Sequence, residues 1–386
     1  MIRPISILAT LLAALSSRVS AEAFPGAVGF GAVATGGEGG EVYTVTTLAD
    51  SGAGSFRDAV SKPNRVINFS VGGYIELKSI ISLSSGLTIN GQTAPGGGIG
   101  VMGAEISGSG RNNLIIRNLR MRQGLRVADG KKKSAINLGK AKNVILDHCS
   151  LAYGQWNSID AVKVANLTVS NSIIALPIGQ QFGAHVEGGP TTFYRNLWVS
   201  AHNRQPLAKG DTQFVNNVVY NFQSAYTAGN SGGQFRHDIL SNYFIAGPSS
   251  TDPQKGIFFQ MNDNQAVYAA GNFLDADKDG RLGGQPQNTV DKSKTMPQTW
   301  APNSKGLASM SAADAYAYVV ANAGAMPRDE LDAFVVDSVK SLGTRGKIIK
   351  DQAATGLSNG GTGRSRADWV EAMTILGFGL DQCSLQ

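Results

Sequence analysis

The side chains best suited to chemistry crowd into one stretch of the chain. His148, His185 and His202 are three of its four histidines. Arg204 stands two residues past the last of them, in His202-Asn203-Arg204-Gln205-Pro206; Lys209 follows, and Asp147 precedes His148. Guanidinium, ammonium, imidazole and carboxylate groups bind anions and move protons. The histidines lack the HExxH spacing of a zinc site. No two aspartates are adjacent, which counts against the convergent carboxylates of hydrolytic glycosidases. Asp275-Ala276-Asp277-Lys278-Asp279-Gly280 resembles the front of a calcium loop, but its twelfth position is Pro286 rather than a bidentate glutamate. An ordinary acidic turn is the better reading. His148 reads as a structural histidine, whereas His202 and His185 read as lining a cleft.

Such residues need a scaffold, and the sequence repeats itself to build one. Short apolar segments, among them 114–122, 144–152, 167–175, 192–200 and 213–221, each carry a polar pair near the middle. The second member of the pair is Asn90, Asn118, His148, Asn171, Asn196, Asn217, Asn242 or Asn272, at intervals of 21–30 residues. Strands recurring at this period, with no helical pattern between them, make a β-solenoid, in which no turn buries its apolar residues alone. Asparagine suits a left-handed corner, and stacked amides can satisfy one another along the array. The eight positions therefore predict one stacked ladder.

Composition agrees. Of 386 residues 48 are glycine, 16% are charged and 42% hydrophobic, with a formal charge of +6. That is enough apolar content for a core and excludes disorder as the main state. The charge is too thinly spread for a nucleic-acid partner, and Lys131-Lys132-Lys133 reads as a solvated loop tip. Residues 1–21 read as a secretory signal, with Arg3, the apolar run Ile5–Leu15 and small residues at Val19-Ser20-Ala21. Asn68 and Asn166 head glycosylation triplets. Two cysteines, Cys149 and Cys383, cannot form a disulfide framework, and Cys149 reads as a buried thiol inside an apolar strand. The expected layout is a signal at 1–21 and one all-β domain over 22–386, with an N-terminal cap at 22–64, the stack at 65–285 and a C-terminal cap and tail at 286–386. Within the caps, 55–60 and 311–342 read as helical, the latter broken at Pro327. A secreted monomer, with no membrane partner, is expected.

Several motifs carry a family resemblance. The Gly-rich opening at 23–60, Asn90-Gly91-Gln92-Thr93-Ala94-Pro95-Gly96, Leu146-Asp147-His148-Cys149-Ser150, the 202–206 motif and the helical tail at 323–338 resemble secreted pectate and pectin lyases of polysaccharide lyase family 1. The resemblance implies a right-handed single-stranded parallel β-helix and β-elimination on uronic-acid polymers. It implies Arg204 as the proton-abstracting residue, Lys209 as a second cation holding a uronate carboxylate, and Asp147 at the active site and in a calcium site. His202 and His185 join these as substrate-binding candidates; Trp156 and Trp198 are weighed for sugar stacking, with core packing the more frequent use. The further acidic calcium ligands align with Trp156, Ala175 and Ile178. That leaves no required cofactor, or calcium held weakly by Asp147 and substrate, and favours methylated pectin. A non-catalytic carbohydrate-binding β-helix, or a lyase on another uronan, are the alternatives.

Overall fold

The computed structural model describes residues 22–124, 133–229 and 232–362. The segment read as a signal, Lys131, Lys132 and Cys383 lie outside the described residues.

The chain winds through three parallel sheets in a repeating order. In one coil Ile136–Asn137 enters the third sheet, Lys142–Asp147 the first and Ser150–Ala152 the second. The strand Asn157–Ser170 then pairs in the third sheet at its start and in the first at its end. Neighbouring coils align in register, so like side chains stack. Ile67, Ile89, Ile116, Leu146, Val169, Phe193, Phe214 and Ile239 form one column across the first sheet, all fully buried. This is a parallel β-helix with a continuous apolar core.

Parallel pairing begins at Glu41–Val45, inside the segment expected as a cap, and ends at Lys294–Thr295. Both end strands are largely exposed. The expected helices occur at Phe56–Ala59, capped by Ser55, and at Ala312–Asn322 and Glu330–Lys340 on either side of Pro327.

The polar ladder is two columns, one residue apart. Asn118, His148 and Asn171 share the corner column with Arg195, Asn216 and Ser241, all at φ 48–57°. Asn196, Asn217, Asn242 and Asn272 belong to the next column, fully buried. Asn196 Nδ2 donates to Asn217 Oδ1 at 3.0 Å, Asn217 to Asn242 at 3.2 Å and Asn242 to Asn272 at 2.9 Å. The same carboxamide oxygens accept backbone N–H groups of the preceding coil. Asn90 pairs with Arg117 and lies one position before the corner. Sequence merged these columns because a left-handed corner and a buried amide stack both favour asparagine. A separate ladder joins Asn113, Asn143 and Asn166; Asn166 Nδ2 donates to Asn143 Oδ1 at 2.9 Å. A glycan on that nitrogen would leave it a single N–H for this contact. Asn68 accepts from Asn90 Nδ2.

Covering segments decide which outer face stays open. The N-terminal segment packs Ala27 and Ala34 on Ile115 and Ile145 of the first sheet. The two long helices bury the second sheet, where Ala175, Ile178, Val199 and Tyr220 pack with Val319, Leu331 and Val335. The third sheet keeps a polar, partly exposed face.

Candidate active site on the third sheet

Along the third sheet Asn137, Asp160, His185 and Leu207 are in register, and Glu187 pairs with Lys209. Strand alternation turns Ile159, Ala161, Ala184 and Val186 into the core and leaves Asp160, His185 and Glu187 on the outer face.

Arg204 reaches this face from a loop pinned to the strand Phe182–Gly188. Ala184 N–H donates to the Arg204 carbonyl at 2.7 Å, and Gly183 N–H to that of Asn203 at 3.0 Å. Only glycine fits at 183, since a Cβ there would lie 2.3 Å from the Arg204 oxygen. Arg204 itself is left-handed at φ 66°. Its Nη1 donates to Asn157 Oδ1 at 3.0 Å, and its guanidinium carbon lies 3.9 Å from the centre of the Phe182 ring. It makes no ion pair among the described residues. Burial pushes its pKa below the ordinary arginine value, opposed by Asp160 and Glu187.

The neighbouring groups are arranged around Glu187. Its Oε1 lies 2.9 Å from His185 Nε2 and 3.3 Å from Lys209 Nζ. Burial opposes its ionisation, but His185 and Lys209 hold its pKa down. Burial lowers the His185 pKa against the pull of Glu187. Burial raises that of Asp160, partly offset by His185 and Arg204. Asp160 Oδ1 is buried without a hydrogen-bond partner. His202 stands at the rim with its ring 6.3 Å from that of Phe182, and burial lowers its pKa. A cavity of about 140 Å³ opens beside Phe182, Asn203, Arg204, Lys209 and Thr227.

The fold thus gathers Arg204, Lys209, His185 and His202 on one face and leaves Asp147 off it. Asp147 ends a first-sheet strand and is nearly inaccessible. Its Oδ1 accepts from Ser170 Oγ and Asn171 Nδ2, both at 2.9 Å, and its Oδ2 faces His148 Nδ1 at 2.9 Å and Arg117 Nε at 3.3 Å. Burial opposes its ionisation, yet His148, Asn171 and Ser170 hold its pKa down. With both oxygens engaged, it is a structural carboxylate. Ala175 and Ile178 are also elsewhere, buried beneath the C-terminal helices, so their apolar nature says nothing about a metal in the cleft. Trp156 does lie near it, edge-on to Phe182 at 6.2 Å. Trp198 and the free Cys149 are core residues.

The sequence alone did not single out Asn157, Asp160, Phe182 or Glu187 as site residues. Glu187 carried a signal: it follows His185 by two residues on one strand, the spacing that shares a face. Asn157 and Phe182 had none, because only coil stacking brings them to Arg204.

Comparison with known proteins gives a consistent result. The chain is 41% identical over 344 residues to "Probable pectate lyase C" of Aspergillus flavus, covering 86% of this chain and 81% of the relative. It is 40% identical over 374 residues to the protein of the same name in Neosartorya fischeri, covering 91% and 86%. A solved thermostable pectate lyase superposes with a TM-score of 0.58 at 15% identity, covering 77% of this chain and 96% of that one. No family model matches the chain.

Proposed function

The chain belongs to the pectate lyase family, and from that premise we propose that its third-sheet cleft cleaves polygalacturonate by β-elimination, with Arg204 at the reacting carbon. One observation carries the assignment: Arg204 is half-buried on the open face, held by Asn157 and Phe182 and without an ion pair among the described residues.

In the reaction the C5 proton leaves, its electron pair forms the C4–C5 double bond, and the C4–oxygen bond breaks. The departing oxygen then takes up a proton. A base is needed at C5, and cations or donors at the adjacent carboxyl group, where charge develops. Arginine is a poor base in water because its cation is so stable. Burial shifts Arg204 in the required direction, opposed by Asp160 and Glu187. Lys209 and His185 supply positive charge or donors to the uronate carboxylate, which would compete with Glu187 for them. His202 at the rim contacts the sugar chain. Asp147 takes no part.

Calcium, implied for part of this family, finds no free oxygen on Asp147. In Asp160 it would find a buried carboxylate oxygen without a hydrogen-bond partner. A hard cation takes about 6–8 oxygens, and no group of three or more His, Cys, Asp or Glu suited to a metal occurs among the described residues. Asp160 would therefore hold it together with substrate carboxylates, and the ion would neutralise uronate charge. The preference for methylated pectin rested on Trp156, Ala175 and Ile178, of which Ala175 and Ile178 lie beneath the helices and only Trp156 near the cleft. With Asp160 as a ligand, the unesterified polymer becomes the preferred substrate.

Among the described residues no helix is long and apolar enough to cross a membrane. The signal-like segment 1–21 supports a secreted enzyme, and the continuous core of the stacked coils supports a single domain; that it works as a monomer is part of the proposal. Asn68 is the better glycosylation candidate, because Asn166 commits its amide nitrogen to Asn143.

The test is the ultraviolet absorbance of unsaturated uronides, followed on polygalacturonate and methylated pectin, each with calcium and with chelator. Product from polygalacturonate, lost in Arg204→Ala, is the expected result. Binding without product in every arm would instead make the protein a carbohydrate-binding β-helix.

A further inference from the structure

The outward column of the third sheet runs past the cleft. Leu207 is in register with Thr227, and Thr227 with Phe259. Phe259 therefore lies two coils beyond Leu207, about 10 Å at the usual strand spacing. Alternation sends Phe258 inward, where its ring meets Phe244 at 5.8 Å, and leaves Phe259 half-buried on the outer face.

Phe259 lines a second cavity of about 460 Å³, within the size range of small-molecule sites. Around it stand Gln260, Asn262 and Gln287, two lysines, Lys255 and Lys292, and one acid, Asp291. The two cavities adjoin, since Gln260 lines both. Gly229 lets Gln260 pack closely between them: a Cβ there would fall 2.5 Å from Gln260 Cβ. An aromatic face ringed by amides and lysines fits a sugar ring carrying a carboxylate. Such a ring presents C–H bonds to the aromatic face, hydroxyls to the amides and its anion to the ammonium groups.

We propose that this groove is a distal subsite, in which Phe259 stacks on a uronate residue of the same polymer chain that Arg204 acts on. The proposal rests on the polygalacturonate reading of the cleft and extends it toward the C-terminal coils. Its chemical consequence is a preference for long chains, because only a long chain reaches both Arg204 and Phe259.

The test measures binding of trigalacturonate and octagalacturonate by calorimetry, in an Arg204→Ala background that prevents turnover. With Phe259 present, the octamer should bind more tightly than the trimer. Phe259→Ala should cut octamer affinity roughly tenfold, as removal of an aromatic anchor does, and erase most of the difference. Phe259→Trp, which keeps an aromatic face, should retain it, and a matching thermal midpoint shows that the Ala variant is folded. An undiminished octamer-to-trimer ratio in Phe259→Ala would overturn the subsite, as would failure of both oligomers to bind. Elimination by the protein with Arg204 intact, assayed separately on polygalacturonate, tells whether the function fails with it.

Discussion

Two clusters of arginine and aspartate lie on different sheets of this solenoid, and they are built in opposite ways. On the second sheet Arg120 and Arg122, both 2% exposed, meet Asp329 and Asp332 at the start of the helix Glu330–Lys340. Arg122 Nη2 lies 2.6 Å from Asp332 Oδ1, and Ser150 Oγ donates to the other oxygen at 2.7 Å. On the third sheet Arg204 has no carboxylate at ion-pair distance among the described residues. It meets an amide oxygen and a ring, while Asp160 keeps a buried oxygen bare. Charges that find each other under a helix clamp the helix in place. Charges withheld from each other on an open face remain free to act on a ligand.

The largest effect should come from breaking the clamp. Arg122→Ala removes the nearer ion-pair partner of the buried Asp332 and leaves it Arg120 at 3.9 Å, and loss of one partner of a buried pair costs about 3–5 kcal/mol. Denaturant unfolding measures it, and turnover per folded molecule should not change. A variant that loses turnover at unchanged stability would place this cluster in the catalytic machinery and end the contrast.

Arg204→Ala is the reverse case. It should lower kcat by about 10²–10³-fold, the scale of removing one preorganised donor at a reacting centre, with the thermal midpoint close to that of the unaltered protein. Retention of more than about a tenth of the activity, a loss below about 1.4 kcal/mol, would remove Arg204 from the chemistry.

The asparagine column extends the comparison to neutral groups. Asn217 is fully buried, and its carboxamide bonds to two neighbouring coils. Asn217→Ala should cost about 1–3 kcal/mol by leaving buried partners unsatisfied. The exposed Asn322→Ala should stay within about 0.5 kcal/mol. Equal unfolding midpoints for the two would show that the column does not hold the coils together.

The smallest effect concerns Asp160 and depends on pH. Burial raises its pKa in the folded state, so the folded protein holds this proton more tightly than the unfolded chain does. Its contribution to stability is present below the ordinary aspartate value of 3.8 and is lost as pH rises through the raised folded value. Asp160→Asn should therefore melt slightly higher than the unaltered protein at pH 7, and the two should converge in strong acid. Its activity on polygalacturonate should fall and respond less to added calcium. A lower midpoint at pH 7 would mean that Asp160 is a paired structural acid like Asp332.

The asparagine columns show how far the sequence could be read. Repeat length, apolar flanks and recurrent asparagine were legible because each is a local demand: a strand needs alternation, a corner needs a residue that tolerates positive φ, and a buried amide needs a partner. The one-residue offset between Asn171 and Asn196 was not legible, since it depends on which residue of one coil lies beside which residue of the next.

The same limit governs the site. By itself the sequence determined the solenoid and the helical segments either side of Pro327, which follow from residue type and spacing, and its resemblance to a family pointed to Arg204 with Lys209 as the cations to examine. Only the tertiary structure decided that Asp147 is sealed beside His148 and Ser170, and that Asp160 and Glu187 are the carboxylates facing Arg204. The covering segments close two of three outer faces, and coil register then sets each side chain's neighbours. Both are relations between residues far apart in the chain, which no local pattern encodes.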